Sequence, residues 1–244
     1  MRLMKTILLK FAVPLQSYGT DSHFDNRKTD FYPSKSSVIG LISACLGYRR
    51  YQTEQIQALN ALNFAVRVDQ AGMLLRDFQT VKKLKNNGTV ESAYVTNRYY
   101  LQDAVFVVGI SHPDDQMMEQ IYYAFNHPYF QPFLGRRSAP LNADFLLAIE
   151  EGDMIEVFKQ LPWQAAVWYQ KKVMKSKSKI RLDAYFDKGV VSDGEVGSIR
   201  NDYVESFDVN DRKFKQRVEV KINLEVKPTY VPKVPSTHDV FSWL

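Results

Sequence analysis

Basic residues gather at four places in this sequence, and each place suits an anionic partner. In the stretch 82–90, Lys82, Lys83 and Lys85 precede an Asn-Gly pair, with Arg76 and Arg98 at the flanks. Tyr94, Tyr99 and Tyr100 are interleaved with them. Ammonium and guanidinium groups can track a phosphodiester backbone while tyrosine rings stack on bases. The same pattern also fits a solvated hairpin whose lysines keep its edges from pairing with other chains. At Gly135-Arg136-Arg137, glycine lets the backbone approach closely, and two adjacent guanidiniums can grip phosphate oxygens in a bidentate manner. Salt bridges to nearby carboxylates are the plainer alternative. At Pro33-Ser34-Lys35-Ser36-Ser37 a helix N-terminus coincides with hydroxyls and a lysine, a place suited to phosphate or simply a capped helix. The run 171–181 holds six basic residues and no acid. It is either a second nucleic-acid contact or a mobile solvated loop.

Catalytic signatures are missing. No P-loop, Rossmann glycine run, Gly-x-Ser-x-Gly or helically spaced histidine pair occurs. The four histidines, His23, His112, His127 and His238, are scattered. The single cysteine, Cys45, excludes a disulfide scaffold and a cysteine-based metal site. It falls within an apolar helical face with no basic neighbour, which points to a buried, inert thiol. No metal and no cofactor is expected.

Composition sets the wider frame. A chain of 244 residues forms one large domain or two small ones. Its 45% hydrophobic and 24% charged content is that of a globular protein, which rules out disordered or collagen-like classes. The net charge of +5 is a mild basic bias, compatible with a nucleic-acid partner. The uncharged run 36–48 falls short of the ~18 residues that a membrane span needs. The apolar stretch 6–9 is too short for a signal peptide and is interrupted by Lys10. A cytoplasmic protein without a membrane partner is expected.

Hydrophobic periodicity places these residues on elements. Residues 3–13 read as a buried first strand ended by Pro14, and 20–32 as a surface loop. Ser34 caps a helix whose wide apolar face is Val38, Ile39, Leu41, Ile42, Cys45 and Leu46, with Gly47 as its stop. A short helix spans 54–62. Residues 63–69 alternate as a strand, and 74–81 continue extended. Asn87-Gly88 predicts a protruding hairpin with a type I′ turn, 94–100 being the return arm. Residues 104–110 form a fully buried strand. Pro113-Asp114-Asp115 opens a helix, with proline in its first turn and Met117, Ile121, Tyr122 and Phe125 as its face. A weak helix over 151–161 and a strand over 163–169 follow. Residues 214–226 alternate as a half-solvated strand, with Val218, Val220, Ile222, Leu224 and Val226 inward and Arg217 and Glu219 on the solvent side. Pro228, Pro232 and Pro235 make 227–244 an extended tail. The order predicts an α+β sandwich with helices on one sheet face.

Seven segments in one order resemble the CasD family, the RAMP-type subunits of the type I-E CRISPR Cascade complex. They begin with Leu8-Leu9-Lys10-Phe11-Ala12-Val13-Pro14-Leu15-Gln16-Ser17-Tyr18-Gly19, which is similar to the family's opening strand and Pro-x-Gln-x-aromatic-Gly turn. Phe31-Tyr32-Pro33-Ser34-Lys35-Ser36-Ser37-Val38-Ile39-Gly40-Leu41, continued by Ala44-Cys45-Leu46-Gly47, resembles its first helix. Phe64-Ala65-Val66-Arg67, Leu75-Arg76-Asp77-Phe78-Gln79-Thr80-Val81, Arg98-Tyr99-Tyr100-Leu101-Gln102-Asp103-Ala104 and Phe133-Leu134-Gly135-Arg136-Arg137-Ser138 complete the set. The resemblance implies one domain over 1–226 with a ferredoxin-like RAMP core, additional antiparallel strands and a protruding β-hairpin thumb at about 76–102. It further implies a non-catalytic subunit that binds the 5′ handle of a CRISPR RNA in antiviral defence. Such a subunit caps one end of the backbone, beside the backbone RAMP subunit (CasC type) and the large subunit (CasA type). The RNA-binding candidates are Gln16, Arg27, Lys35, Ser36, Ser37, Arg76, Gln79, Thr80, Lys82, Lys83, Lys85, Arg98, Tyr99, Gly135, Arg136 and Arg137. Lys35-Ser36-Ser37 departs from the arginine, serine and glycine expected there, so the arginine fork is lost. The alternative is a metal-independent endoribonuclease that processes precursor CRISPR RNA. Relatives in another subtype use a tyrosine and an adjacent Lys-His pair; Tyr48 could serve here, but no Lys-His dipeptide exists.

Overall fold

In a computed structural model, which describes residues 4–20, 26–177, 179–192 and 194–230, the apolar N-terminal run forms strand β1 (Lys5–Phe11). Two short strands follow, β2 (Leu15–Gln16) and β3 (Asn26–Arg27), and then helices α1 (Lys35–Cys45) and α2 (Thr53–Ala58). Strand β4 (Asn63–Gln70) leads into the long β5 (Met73–Leu84) and β6 (Val90–Gln102), which return to β7 (Val105–Ser111). Helix α3 (Asp115–Asn126), strand β8 (Leu146–Glu151), helices α4 (Met154–Gln160) and α5 (Val167–Met174), and strands β9 (Ile180–Asp187), β10 (Gly197–Ser206) and β11 (Lys213–Val226) complete the chain.

The main sheet has the order β10-β11-β9-β4-β7-β1-β8, and its pairings are antiparallel. Within it, β1-α1-β4 and β7-α3-β8 are two split strand–helix–strand units, so β4-β7-β1-β8 is the ferredoxin-like order that the resemblance implies. The β5–β6 hairpin is inserted between the units. It carries β2 and β3 on the far edge of β6 and forms a second sheet of four strands. The chain turns into and out of this hairpin through Gly72 (φ 72°) and Asp103 (φ 56°), both left-handed.

Apolar side chains cover both faces of the main sheet, which corrects the expectation of helices on one face only. One layer joins Ile7, Leu9, Phe11, Val66, Phe106 and Val108 to α1, α2 and α3. The other joins Leu8, Ala65, Val107 and Phe186 to Met154, Phe158 and Trp163, with Tyr169 and Val173 of α5 packed against them. Burial on both faces explains why β4 does not alternate: Phe64, Ala65, Val66 and Arg67 are consecutive and all buried. Arg67 reaches into the second layer as a fully partnered charge. It holds Asp69 bidentately at 2.7 and 2.8 Å. It also donates to the carbonyls of Phe158, Leu161 and Pro162 where α4 ends.

Other expectations change for local reasons. Residues 163–169 are not a strand. Trp163 lies buried in a loop, its indole donating to the Asp69 carbonyl at 2.7 Å, and helix α5 begins at Val167. In α3 the cap is Asp114, which puts Pro113 before the helix, and the buried face is Met118, Ile121, Ala124 and Phe125 rather than Tyr122. The hairpin tip has one left-handed residue, Gly88 (φ 81°), not two. Gly88 N bonds Lys85 O at 2.9 Å and Lys85 N bonds Thr89 O at 2.8 Å, a three-residue loop with a bulge in place of a type I′ turn.

Strand β11 is half-solvated as expected over 220–226, with Val220, Ile222, Leu224 and Val226 inward and Lys221, Asn223 and Glu225 exposed, but not over 217–219. Arg217 and Glu219 are buried, whereas Val218 lies beyond the apolar layer and is 43% exposed. The polar side of the strand is covered by the start of α1 and by Tyr32. Arg217 meets Asp202 at 2.6 Å, Asp187 at 2.9 Å and Glu219 at 2.8 Å. Tyr32 donates to Glu219 at 2.6 Å and stacks on Tyr185 at 4.0 Å. Among the described residues no helix is long and apolar enough to cross a membrane. The tail is seen as far as Tyr230, where Gln170 accepts the amides of Thr229 and Tyr230. Residues 231–244 of the expected extended tail lie outside the described residues.

Candidate nucleic-acid interface

Pairing along β6 decides which thumb residues share a face. Opposite residues of antiparallel strands point the same way. The register places Leu75/Tyr100, Asp77/Arg98, Gln79/Thr96, Val81/Tyr94 and Lys83/Ser92 on one face. It places Leu74/Leu101, Arg76/Tyr99, Phe78/Asn97, Thr80/Val95 and Lys82/Ala93 on the other. The candidates on the thumb therefore divide. Gln79, Lys83 and Arg98 share the first face, Arg76, Thr80, Lys82 and Tyr99 the second, and Lys85 sits in the tip.

The 133–138 loop closes over the first face. It is pinned by buried Leu134, by the Phe133–Pro140 bridge, and by bonds from Leu134 N to Ala139 O (2.8 Å) and Ala139 N to Arg136 O (2.9 Å). Gly135 (φ 80°) packs so tightly on the chain just after β2 that a Cβ would stand 1.6 Å from the Ser17 carbonyl oxygen. This is the close approach that the glycine was expected to allow. It delivers Arg136 onto the thumb base. The guanidinium lies 4.3 Å from the Tyr100 ring centroid and donates to the Arg27 carbonyl at 3.0 Å. Arg27 in turn pairs with Arg98 in the parallel β3–β6 register. Arg27, Arg98, Tyr100 and Arg136 thus meet in one place, while Arg137 projects exposed beside them.

Two donors in this cluster are unsatisfied. Arg98 Nε and Arg136 Nη1 are buried yet have no hydrogen-bond partner. Asp77, opposite Arg98, accepts instead from Gln79 at 2.8 and 2.9 Å. A buried donor left unpaired costs about 1–3 kcal/mol, so these two guanidiniums are held at a cost. Burial opposes ionisation of Tyr100, but hydrogen bonds from Arg136 and Ser138 and the Arg136 charge prevail and lower its phenol below the ordinary value. Tyr99, the tyrosine expected to bind RNA, lies on the other face of the thumb. Strand alternation was the available signal, since Arg98 and Tyr100 are two residues apart.

The second face of the thumb base borders an aromatic cleft of about 450 Å3, lined by Phe31, Tyr32, Tyr185, Leu74 and Leu101. Arg76 lies on this face, its Nε donating to Asn97 at 2.8 Å. Lys83 pairs with Glu91 at 2.8 Å, whereas Lys82 and Lys85 meet no carboxylate among the described residues.

Of the remaining candidates, Gln16 and Lys35 are occupied inside the fold, and Ser36 and Ser37 are half-buried at the start of α1. Gln16 is fully buried; its amide donates to Ala104 O at 2.8 Å and its carbonyl accepts from Tyr18 at 2.6 Å. Lys35 is buried, donating to Asp187 at 2.8 Å and to Asn60 O at 2.9 Å. Its backbone amide donates to Asp202 at 2.7 Å, so a protein carboxylate takes this amide at the start of α1, in line with the capped-helix alternative. Ser37 donates to Ser34 O at 2.7 Å, and Ser36 pairs with the Ser34 hydroxyl at 3.2 Å. The motif is a capped helix. Among the described residues no three metal-ligating side chains gather. His112 accepts the Asp114 amide and His127 stacks on Tyr123, each engaged at its own helix end.

The chain matches the family described as CRISPR-associated protein (Cas_Cas5) over residues 6–219. It is 33% identical over 159 residues to the CRISPR system Cascade subunit CasD of Escherichia coli (strain K12), an alignment spanning 58% of this chain and 69% of that one. Among solved structures, a chain of a CRISPR RNA-guided surveillance complex is similar with a TM-score of 0.74 and 28% identity, over 98% of each chain. Another, described as a crystal structure of a Cas protein, has a TM-score of 0.64 and 28% identity, over 93% of this chain and 100% of that one.

Proposed function

This chain belongs to the CRISPR-associated Cas5 family, and we propose that it is the non-catalytic subunit of a type I-E Cascade complex that holds the 5′ handle of the CRISPR RNA. The observation that carries the reading is the pair of buried, unpartnered donors, Arg98 Nε and Arg136 Nη1, beside Tyr100 at the thumb base. A phosphate supplies the oxygens these donors lack. Lys82, Lys85 and Arg137 extend the positive surface outward, and Arg76, Thr80 and Tyr99 serve the opposite face beside the aromatic cleft. Gln16, Lys35, Ser36 and Ser37 act in the fold and not on RNA. The thumb exposes Leu74, Phe78 and Val95 on that second face, apolar surface suited to neighbouring subunits. By family these are the backbone RAMP subunit (CasC type) and the large subunit (CasA type), in the cytoplasm.

The test is copurification from cells expressing the neighbouring genes, followed by sequencing of bound RNA. The wild type retains guides through their repeat-derived 5′ end. Replacing both Arg98 and Arg136 by alanine weakens retention and lowers the slope of log affinity against log salt by about 1–1.5, at about 0.7 per phosphate contact. Unchanged retention and slope remove the thumb base from the site. Specific cleavage of repeat RNA by the purified chain in EDTA would favour the endoribonuclease.

A further inference from the structure

Helix α5, on the sheet face opposite α1 and α3, carries a surface that the thumb-base site does not use. Its residues Trp168, Lys171, Lys172 and Lys175 fall at i, i+3, i+4 and i+7, hence on one side of the helix, and all are exposed. The indole of Trp168 is 56% exposed, whereas Tyr169 and Val173, on the other side, pack into the core. An exposed tryptophan is not needed to anchor this helix; buried Trp163 and Gln170 already do so.

The lysines here are clustered and lack carboxylate partners among the described residues. Lys5, Lys10, Lys159, Lys213, Lys215 and Lys221 each meet a carboxylate within 4 Å. Lys171, Lys172, Lys175 and Lys177 meet none among the described residues, and Lys171 makes only a cation–π contact with Tyr230 at 5.3 Å. Residues 167–177 contain no acid. Four unneutralised charges on less than three turns repel one another, a cost that an anionic partner removes.

Trp168 also forms one wall of a shallow groove of about 250 Å3 whose other walls include Pro14, Gln70, Asp103 and Gln164. The groove therefore runs from the foot of the thumb to the start of α5. A flat ring beside amide groups, followed along the helix by a row of cations, matches a base followed by its phosphates.

We propose that α5 and this groove form a second contact for single-stranded nucleic acid, with a base stacked on Trp168 and the adjoining phosphates over Lys171, Lys172 and Lys175. The proposal is independent of the thumb-base reading, because no residue is shared. RNA and DNA present the same rings and charges, and both are used as probes. The full-length chain is titrated with 12-mers of uridine and of deoxythymidine while tryptophan emission is recorded. Trp163 is buried and the third tryptophan, Trp243, is replaced by phenylalanine throughout, so quenching reports stacking on Trp168. An Arg98→Ala/Arg136→Ala background, which disables the other site, retains that quenching.

In this background Trp168→Ala weakens binding of labelled oligonucleotide about tenfold, while Trp168→Phe, which keeps a ring, stays near the parent. Replacing Lys171, Lys172 and Lys175 by alanine lowers the log–log salt slope by about 2. Preference for one 12-mer identifies the strand. The proposal is overturned if neither oligonucleotide quenches emission, or if the triple lysine variant binds with an unchanged slope. It is equally overturned if that variant keeps nucleic acid but loses an acidic protein subunit from the assembled complex. All positions are exposed, and an unchanged melting temperature shows that each variant is folded.

Discussion

Gly135→Ala is a one-carbon test of how Arg136 reaches the thumb. The added Cβ would lie 1.6 Å from the Ser17 carbonyl oxygen, in a residue already at φ 80°. No rotamer relieves this, because a Cβ has none and the neighbour is backbone. The left-handed conformation alone costs a non-glycine residue about 1–2 kcal/mol. The clash is removed only if the 133–138 loop lifts, and lifting it forfeits two further contacts. The charge-assisted bond from Arg136 to Arg27 O contributes about 1.5–3 kcal/mol, and the stacking over Tyr100 about 0.5–2 kcal/mol. Together the loss is about 3–5 kcal/mol, allowing for partial relaxation. For a chain of this size about 2–4 °C per kcal/mol applies, so the melting temperature falls by roughly 6–20 °C. RNA retention falls with it, to the level of Arg136→Ala, because both variants remove the same guanidinium. Thermal melts and copurified RNA are measured side by side. Wild-type melting together with wild-type RNA retention in Gly135→Ala would refute the close-approach argument.

Further outcomes follow from the same structure. Asp202→Ala leaves Arg217, Arg200 and the Lys35 amide without their shared carboxylate; it destabilises by about 3–5 kcal/mol in chemical denaturation, and a loss below 1 kcal/mol would show the buried network to be dispensable. Arg136→Ala removes the bond and charge that depress the Tyr100 phenol while leaving its burial, so that pKa rises, read as the tyrosinate absorbance change of the variant against a Tyr100→Phe control. Burial pushes the Cys45 thiol from its ordinary value near 9 up to about 12. Its proton is therefore kept in the folded state and lost in the unfolded state between those values, so stability falls across that window by more than in Cys45→Ala. In the native state below it, Cys45 resists alkylation, and rapid labelling would contradict its burial.

What could be read from the sequence depends on how locally each feature is determined. The Ser34 cap, the buried strand β7 and the Asn-Gly hairpin are set by neighbours a few residues apart, and all three appear. The split ferredoxin-like units were supplied by resemblance, since periodicity does not say which strand lies beside which. The second apolar layer escaped notice because Trp163 and α4 cover the sheet from far along the chain, turning alternating strands into continuously buried ones. The same distance hid the fate of Lys35, whose partners Asp187 and Asp202 lie more than 150 residues away. In contrast, Gly135-Arg136-Arg137 was recognisable, because a close approach demands glycine wherever the neighbour comes from. The period of two along β6 puts Tyr100 on the face of Arg98 and Tyr99 on the face of Arg76.

The paired corners at Gly72 and Asp103 have a mechanical consequence. Both strands of the hairpin change direction at one level, and β2 and β3 hold the edge of β6 as far as Asn97, so the projection is free to bend only beyond that clamp. From Phe78 to Leu84 of β5 the free arm is about 23 Å long at about 3.3 Å per residue, and a 5° bend carries its end through roughly 2 Å. The same bend leaves Arg98 and Tyr100 in place, because they lie on the clamped side beneath Arg136. Aim is therefore held at the root, whereas the far end is steered by whatever it leans against. Swapping residues at the tip should alter which neighbour is accepted without blurring how the root grips.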